Sequence, residues 1–262
     1  MSFFTVQGLS AGYRGRTVVS GVSFSAAAGG VTGVLGANGS GKTTLLKAVC
    51  GILPHSGHCT LGGQTLEGLS PRRLSRLCGY IPQRSGISID ISVLDVVLMG
   101  FNPWLGLLEY PGAAMRRAAA EALASVGLPG RGGDNYQTLS EGEKQLCILA
   151  RALTSRYMFL LLDEPESSLD FQHRYQVLSI LRSWANGGRR GVLIVLHDVA
   201  LALEACDQII VLREGQLIGC LLPGEDSLEK METILCQIYG PISLARCPDR
   251  TGRPHLVMLR EG

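Results

Sequence analysis

The chain has 262 residues, of which 46% are hydrophobic and 18% are charged, and its formal net charge is +2. A chain of this length and composition can bury a real apolar core, as one large domain or two small ones. The small net charge excludes the strongly basic surface of proteins that bind nucleic acid mainly through charge.

The predicted elements change character along the chain and indicate an α/β core with a helical insertion. Short strands with glycine turns come first, helical spacing dominates residues 92–154, and apolar runs then alternate with helices. Continuous apolar runs are typical of parallel strands buried on both faces. The predicted strands are 4–9, 17–24, 31–35, 57–61, one ending at 80–82, 158–162, 192–196, 208–212 and 216–221. The predicted helices are 42–50, 93–99, 113–126, 171–184, 199–205 and 228–239, with another after Ser140.

Cysteine usage and hydropathy bear on the cellular compartment. The eight cysteines include no C-x-x-C pair, and the chain does not begin with a basic segment and a long apolar run. We therefore expect reduced thiols and no signal peptide. The longest apolar runs fall far short of the ~18 residues that a membrane-spanning helix needs. These features predict a soluble, cytoplasmic protein.

The segment "GANGSGKTT", residues 36–44, follows a predicted strand and opens a helix, and it fits the Walker A pattern G-x-x-x-x-G-K-[ST]. Consecutive backbone N–H groups and the helix N-terminus would cradle nucleotide phosphates. Lys42 is expected to reach the β- and γ-phosphates, and Thr43 to give a hydroxyl to Mg²⁺. The predicted nucleotide-binding residues of this loop are Gly36, Asn38, Gly39, Ser40, Gly41, Lys42, Thr43 and Thr44.

The segment "MFLLLDEP", residues 158–165, is an apolar strand that ends in two acidic residues. Asp163 is predicted to hold Mg²⁺, as a Walker B acid does. The adjacent Glu164 is predicted to act as general base toward the attacking water. Without the phosphate loop this pattern would indicate only a turn.

The segment "TLSEGEKQLCILARAL", residues 138–153, begins with a capping box formed by Ser140 and Glu143. Gly142 stands in the first turn, where glycine costs ~1 kcal/mol relative to alanine. Glycine at this position predicts that another group comes very close to the backbone.

Taken together, these motifs resemble the nucleotide-binding subunit of an ATP-binding cassette (ABC) transporter, from Tyr13 to about Gly215. The resemblance implies a P-loop NTPase core of the ABC type, with an N-terminal antiparallel β subdomain and an inserted helical subdomain. We expect an ABC ATPase domain over residues 1–240, with the helical subdomain at about 84–154. Residues 241–262 would form a C-terminal extension.

By the same resemblance, "LSEGE" is the family signature, usually LSGGQ. Two subunits of such proteins sandwich two ATP molecules head to tail, so Ser140, Gly142 and Glu143 would contact ATP bound to the partner chain. Glu141 and Glu143 depart from the usual pattern and add negative charge near a phosphate. Tyr13 stands where an aromatic ring stacks on adenine.

The resemblance also assigns roles to single polar residues. Gln83 in "GYIPQ" matches the glutamine that reaches Mg²⁺ and the attacking water. Asp170 in "SSLD" matches the D-loop aspartate that crosses the dimer interface. His197 matches the switch histidine that contacts the γ-phosphate. Glu166 replaces a usual threonine, which we expect to matter little.

The resemblance implies an ATPase with ATP and Mg²⁺ as cofactors, working as a homodimer on separate membrane permease subunits. The segments 92–106 and 235–258 are similar to importer ATPases for iron–siderophore, haem and cobalamin. An apolar face around residues 84–110 would contact the permease at the cytoplasmic face of the cell membrane. A periplasmic or surface substrate-binding protein would take part indirectly.

Three alternative functions share some of these features. An importer ATPase for a different cargo would share the same core. A cassette ATPase acting on nucleic acid usually carries coiled coils, zinc modules or tandem cassettes, which this sequence lacks, so no nucleic-acid partner is expected. A P-loop kinase or GTPase does not explain "LSEGE" or His197.

The segment "HSGHC", residues 55–59, offers two histidines and a cysteine. A structural zinc site needs four ligands in a closed tetrahedron. The sequence has no matching second group of ligands, so the segment is interpreted as a turn before a strand.

Overall fold

The computed structural model describes residues 2–83, 86–106, 108–252 and 254–260. Its strands are β1 (Ser2–Tyr13), β2 (Arg16–Ala27), β3 (Val31–Gly36), β4 (His55–Leu61), β5 (Gln64–Thr65), β6 (Cys78–Ile81), β7 (Phe159–Asp163), β8 (Gly191–Val195), β9 (Gln208–Arg213), β10 (Gln216–Leu221), β11 (Ile242–Pro248) and β12 (Pro254–Arg260). Its α-helices are α1 (Lys42–Val49), α2 (Pro71–Leu77), α3 (Val93–Leu98), α4 (Ala113–Ser125), α5 (Glu141–Leu153), α6 (Phe171–Asn186), α7 (Val199–Ala205) and α8 (Leu228–Tyr239).

A six-stranded sheet in the order β10-β9-β3-β8-β7-β6 forms the centre of the molecule. The strands from β9 to β6 are parallel, and only β10 runs antiparallel at one edge. Every residue of β3, β7 and β8 is buried, which explains why these strands are continuous apolar runs. The predicted α/β class is confirmed.

A second, antiparallel sheet of order β2-β1-β4-β5 contains most of the N-terminal strands. Phe4 of β1 stacks on Phe159 of β7, with ring centroids 4.4 Å apart, so this sheet shares a core with one face of the parallel sheet. Strand β4 begins earlier than predicted and β1 extends beyond its predicted end at Leu9, because Ala11 of β1 is paired with His55 of β4.

The predicted helical insertion is present between β6 and β7, where α3, α4 and α5 pack on one another. Their apolar side chains, including Val96, Leu123 and Leu146, continue the core on the other face of the parallel sheet. Of the predicted permease-contacting face, Arg84, Ser85 and Leu107 lie outside the described residues.

Four elements were not predicted. Helix α2 begins at Pro71 behind the cap Ser70, a signal that the sequence does carry. The two-residue strand β5 completes a short hairpin. At the C-terminus, β11 and β12 form a two-stranded sheet, and Ile242 and Leu244 pack into the main core.

Within the described ranges, no helix combines the length and the apolar character needed to cross a membrane.

Candidate functional site

The residues predicted to bind phosphate and Mg²⁺ and to catalyse hydrolysis lie at one edge of the parallel sheet, where β3, β8, β7 and β6 end side by side. The phosphate loop leaves β3, His197 follows β8, Asp163 ends β7, and Gln83 follows β6. Ligands of open α/β sheets bind at the carboxyl ends of the strands. The strand order therefore gathers four motifs that lie up to 161 positions apart (Gly36 to His197).

The phosphate loop runs from β3 into the N-terminus of α1, as predicted. Gly41 caps the helix with φ 98°, a left-handed conformation that L side chains rarely adopt. A Cβ at this position would also lie 2.8 Å from Cγ2 of Val19. Glycine is thus required here both by backbone conformation and by the close approach of β2.

Lys42 is buried and its ammonium group donates to the loop itself, to the carbonyls of Gly36 at 2.7 Å and Ala37 at 3.0 Å. Burial lowers the pKa of Lys42, while the nearby Glu164 and Asp163 oppose that shift. The cation is thus held inside the loop, where phosphate oxygens can take the place of the two carbonyls.

Thr43 and Asp163 meet across the sheet edge, as the Mg²⁺ prediction requires. The Thr43 hydroxyl lies 3.1 Å from Oδ1 of Asp163, and the Tyr80 hydroxyl donates to Oδ2 at 3.2 Å. Burial raises the pKa of Asp163 despite these hydrogen bonds. Carboxylate and hydroxyl oxygens are hard ligands of the kind that Mg²⁺ prefers, so the donor set fits the cation. The sequence analysis missed Tyr80.

Glu164 occupies a strained position directly after β7. Its backbone has φ 52°, which is uncommon for a residue with a side chain and costs on the order of 1–3 kcal/mol. Its carboxylate is held from two sides, by Nε2 of Gln83 at 2.6 Å and by Nε2 of His197 at 2.6 Å. The structure thus brings together the three residues predicted to be catalytic.

Glu166, which we expected to matter little, is buried and contacts the backbone that carries His197. The side chain is 3% exposed, and Oε1 accepts the backbone N–H of His197 at 3.1 Å. Among the described residues Oε2 is buried without a hydrogen-bond partner, and burial raises the pKa of this carboxyl group. Glu166 therefore fixes the backbone that carries His197.

The signature segment begins α5 with the predicted capping box. Oγ of Ser140 accepts the N–H of Glu143 at 3.3 Å, and Oε2 of Glu143 accepts the N–H of Ser140 at 2.9 Å. Among the described residues, no hydrogen bond or ion pair joins this segment to the phosphate loop. Within one chain, the signature and the loop are therefore separate features.

The group that comes close to Gly142 belongs to the same chain. A Cβ on Gly142 would lie 3.2 Å from the carbonyl oxygen of Ser168 and 3.5 Å from Cδ2 of Leu169. Such a contact is tight. The methyl group of an alanine here would press on the Ser168 carbonyl, and this repulsion opposes the better helix propensity of alanine. The expectation that something approaches this backbone holds, with Ser168 as the neighbour within the chain.

The two unusual carboxylates of the signature are both paired with cations. Glu143 accepts from Arg131 at 2.7 Å, and Glu141 accepts from Lys144 at 2.8 Å. Hydrogen bonds from the Ser140 backbone and from Arg131 lower the pKa of Glu143. Their negative charge is therefore partly balanced inside the chain, which reduces the expected repulsion toward a phosphate.

Two further predicted residues have defined places. Tyr13 ends β1 and its side chain is 44% exposed, so the ring is available for stacking. Asp170 caps α6 by accepting the N–H of His173, and its side chain is mostly exposed. Asp170 thus stabilises the start of α6 within its own chain.

The sequence is similar to that of known proteins over most of its length. A family model described as ABC transporter matches residues 19–167, more than half of the chain. The hemin import ATP-binding protein HmuV of Rhizobium johnstonii is 40% identical over 228 residues, covering 84% of this chain and 85% of that protein. The protein of the same name from Jannaschia sp. is 37% identical over 244 residues, covering 90% and 87%.

Solved structures show the same fold. The chain matches a transporter assigned to the metal-chelate type of ABC transporter, in an inward-facing conformation, with a TM-score of 0.83 and 24% identity. That match covers 100% of this chain and 99% of the other. An ATP-binding cassette in its ADP conformation, MJ1267, matches with a TM-score of 0.78, 21% identity, and coverage of 90% and 97%.

The burial of Glu166 predicts a pH-dependent difference in stability between the wild type and Glu166→Gln. Because the pKa of Glu166 is raised above its ordinary 4.5, the folded protein binds this proton more tightly than the unfolded chain. The wild type should therefore lose free energy of unfolding relative to Glu166→Gln as the pH rises above about 4.5. Urea unfolding of both proteins from about pH 4 to about pH 8 measures this difference.

Glu225→Gln, which changes an exposed glutamate, is the matched control and should show no such trend. If Glu166→Gln differed from the wild type only because its buried glutamine amide lacks a partner, the difference in free energy of unfolding would be the same at every pH. A difference between wild type and Glu166→Gln that stays constant over the range would contradict the account.

Proposed function

The chain belongs to the ABC transporter family, and from this premise we propose that it hydrolyses ATP to power the import of haem. The observation that carries the ATPase chemistry is the position of Glu164. Its carboxylate lies beside Asp163 at the same sheet edge as the phosphate loop and is held by Gln83 and His197. As a member of this family, the chain binds ATP and is an ATPase.

ATP is proposed to bind with its phosphates in the loop at residues 36–44. Phosphate oxygens would replace the carbonyls of Gly36 and Ala37 as acceptors for the Lys42 ammonium. The exposed ring of Tyr13 would stack on adenine. This arrangement holds the nucleotide at both ends, and it orients the γ-phosphate toward the acidic residues that follow β7.

Mg²⁺ is proposed to be held by the Thr43 hydroxyl and the Asp163 carboxylate, with Gln83 beside them. When bound, the cation supplies positive charge that offsets the charge of the phosphates. Tyr80 orients Asp163 through its hydrogen bond to Oδ2. The protein's own contribution is a pair of oxygen ligands, one fixed at the start of α1 and the other at the end of β7.

Hydrolysis is proposed to depend on Glu164 as the general base. The carboxylate accepts a proton from the attacking water, and its strained backbone fixes the direction of the side chain. His197 and Gln83 hold the carboxylate until nucleotide binds, and His197 would then contact the γ-phosphate. Glu166 sets the position of His197 through the backbone N–H.

The active assembly is proposed to be a homodimer that sandwiches two ATP molecules. Ser140, Gly142 and Glu143 at the start of α5 would contact ATP held by the partner, since a helix N-terminus favours anions. Asp170 would cross the same interface. ATP favours the closed dimer because each nucleotide gains contacts there that one chain alone cannot provide.

The chain is membrane-associated through its transporter, and we propose docking on permease subunits at the cytoplasmic face. The helical subdomain, proposed over about 84–154, presents exposed apolar side chains there: Ile89 is 59% exposed, Leu108 86% and Tyr110 87%. These three side chains are the proposed apolar contacts with the permease. A substrate-binding protein would deliver cargo to the permease without touching this chain.

Support for haem as the cargo comes from relatives named hemin import ATP-binding protein, which match most of this chain at up to 41% identity. Removing this chain from its cell should abolish haem uptake and spare the uptake of ferric siderophores and cobalamin. Wild-type chain should restore uptake, and Glu164→Gln should not. Loss of siderophore or cobalamin uptake instead would overturn the cargo and leave the ATPase assignment intact.

A second experiment distinguishes the importer from a cassette acting on nucleic acid. The ATPase activity of the purified chain should rise when its permease subunits are added in lipid and stay unchanged with DNA or RNA. Stimulation by nucleic acid alone would contradict the importer assignment.

Lys42→Ala should weaken ATP binding at least ~10-fold, since a hydrogen bond to a charged group contributes about 1.5–3 kcal/mol. The fold should survive, because the two hydrogen bonds that the structure describes for the Lys42 ammonium both go to carbonyls of the loop. Titration calorimetry measures the affinity. Lys230→Ala on the exposed side of α8 is the control, and equal affinities for the two variants would exclude residues 36–44 as the phosphate site.

Glu164→Gln should retain ATP affinity and slow hydrolysis by ~10²-fold or more, the scale of lost general-base catalysis. The variant should also accumulate as an ATP-bound dimer, because closure no longer leads to phosphate release. Turnover and size-exclusion chromatography with and without ATP measure both effects. Near-normal turnover would remove Glu164 from the role of base.

Gly142→Ala should leave ATP binding to the single chain unchanged but reduce ATP-driven dimerisation and hydrolysis together. The added methyl group would lie 3.2 Å from the carbonyl oxygen of Ser168, and so would displace the start of α5 that would face the partner's phosphate. Gly112→Ala, at the start of α4 where a Cβ has no neighbour within 4 Å, is the matched control. Full activity of Gly142→Ala would contradict the contact with the partner's ATP.

Mixing Gly142→Ala chains with Lys42→Ala chains gives a second test of the sandwich. In a mixed dimer both defects fall in one ATP site, and the other site is intact. Activity should therefore recover in part on mixing. No recovery, with mixed dimers present by mass spectrometry, would show that two intact sites are needed or that the site lies within one chain. Mixing wild-type chains with Lys42→Ala chains would separate these outcomes. Undiminished activity of the wild-type chains in mixed dimers would point to a site within one chain, and loss of that activity to a need for two intact sites.

A further inference from the structure

A cluster of metal-ligand side chains lies on the antiparallel sheet, away from the phosphate loop. His55 and Cys59 belong to β4, and Glu67 follows β5, the next strand of the same hairpin. One potential ligand atom from each of these three residues lies within 4.8 Å of the other two. The sequence analysis set the segment aside because it found no further ligand, and the hairpin supplies one.

The backbone explains why these side chains converge. His55 and Cys59 are four residues apart on a strand, a spacing that puts them on the same face. Gly57 stands between them with φ 90°, and a Cβ there would lie 2.6 Å from the carbonyl oxygen of Gln7. The glycine thus lets β1 approach closely and leaves no side chain between the two ligands.

Glu67 closes the third side of the cluster. Its Oε1 accepts the backbone N–H of Cys59 at 2.5 Å and lies 3.5 Å from Nε2 of His55. Ligand atoms around a tetrahedral zinc ion are about 3.3–3.8 Å apart, given bonds of about 2.0–2.3 Å. The distance from Nε2 of His55 to Oε1 of Glu67 therefore already lies in the range expected for two ligands of one zinc ion.

The second carboxylate oxygen of Glu67, Oε2, is buried without a hydrogen-bond partner among the described residues. Nδ1 of His58 lies 4.0 Å from this oxygen. Cys59 is fully buried. Buried polar atoms are normally satisfied, and an unsatisfied one calls for an explanation such as an ion.

We propose that His55, Cys59 and Glu67 form a binding site for a divalent transition metal of the Zn²⁺ class. A thiolate, an imidazole and a carboxylate suit Zn²⁺ and disfavour Mg²⁺ and Ca²⁺, which take oxygen ligands. Three protein ligands leave one coordination position for water or an external ligand. The exposed His58 lies at the mouth of the site.

The site is joined to the nucleotide-binding end of the same sheet. His55 is paired with Ala11 of β1, and Tyr13 ends that strand two residues later. A metal ion bound here would tie β4 to the turn after β5 and so stabilise the sheet that carries Tyr13. The metal site is independent of the proposed haem import, because none of its three ligands belongs to the ATPase site.

The test uses the full chain, purified without a histidine tag, in excess Mg²⁺ so that oxygen-only sites are occupied. Co²⁺ should give the intense near-ultraviolet absorption of a thiolate-bound cobalt ion, and added Zn²⁺ should abolish it by displacement. Zn²⁺ should also raise the melting temperature.

Cys59→Ser should abolish the cobalt signal, and His55→Gln and Glu67→Gln should weaken Zn²⁺ affinity at least ~10-fold. Cys247→Ser and His173→Gln, which change exposed residues outside the cluster, should bind as the wild type does. Circular dichroism identifies any variant that fails to fold, and the glutamine variants are the more conservative pair.

The proposal is overturned if the wild type gives no thiolate–cobalt absorption. It is equally overturned if the signal persists in Cys59→Ser or disappears in Cys247→Ser. In those cases the three side chains form only a hydrogen-bonded cluster.

Discussion

The register of the parallel sheet is the constraint on which the site depends. Val195 of β8 is paired with Val34 of β3 on one side and with Asp163 of β7 on the other. Because the three strands are aligned at this level, the phosphate loop, the acidic pair and His197 all leave the sheet at the same edge. A slip of one residue in β7 would turn Asp163 to the opposite face and separate it from Thr43.

Charged side chains are concentrated in the partly buried site, and nearby opposite charges and hydrogen bonds stabilise them. Burial disfavours the charged forms of both Lys42 and Asp163, and each lies in the field of opposite charges or in hydrogen-bond reach of a polar group. Glu164 is held by two side chains, and its backbone strain is sustained by that surrounding structure. Such an arrangement is pre-organised for a polyanion and a cation, since little has to move when they arrive.

The signature segment is mechanically connected to the rest of the site within one chain. Gly142 packs on the carbonyl of Ser168, and a cavity of about 560 Å³ is lined by Gln83, Glu141, Ser167 and Ser168. The glutamine loop, the signature and the D-loop thus border one space. Glu141 of the insertion and Gln83, whose amide donates to Glu164, thus face each other across this cavity.

Local sequence patterns were sufficient to predict those structural features that depend mainly on residues close by in the sequence. The glycines of residues 36–44, the capping box of Ser140 and Glu143, and the apolar runs of β7 and β8 depend on near neighbours and burial, and the structure has them as predicted. Helix α2 also had a local signal in Ser70 and Pro71, but it is short and has no buried residue to give it apolar periodicity.

Contacts between distant segments could be seen only in the folded chain. Tyr80 donates to Asp163 from 83 positions away, and Glu166 accepts the N–H of His197 from 31 positions away. Glu67 reaches Cys59 because a two-residue strand turns the chain back, and no spacing rule marks that turn as part of a ligand set. Strand order and register decide such pairs, because they place side chains together according to pairing between strands and not according to distance along the chain.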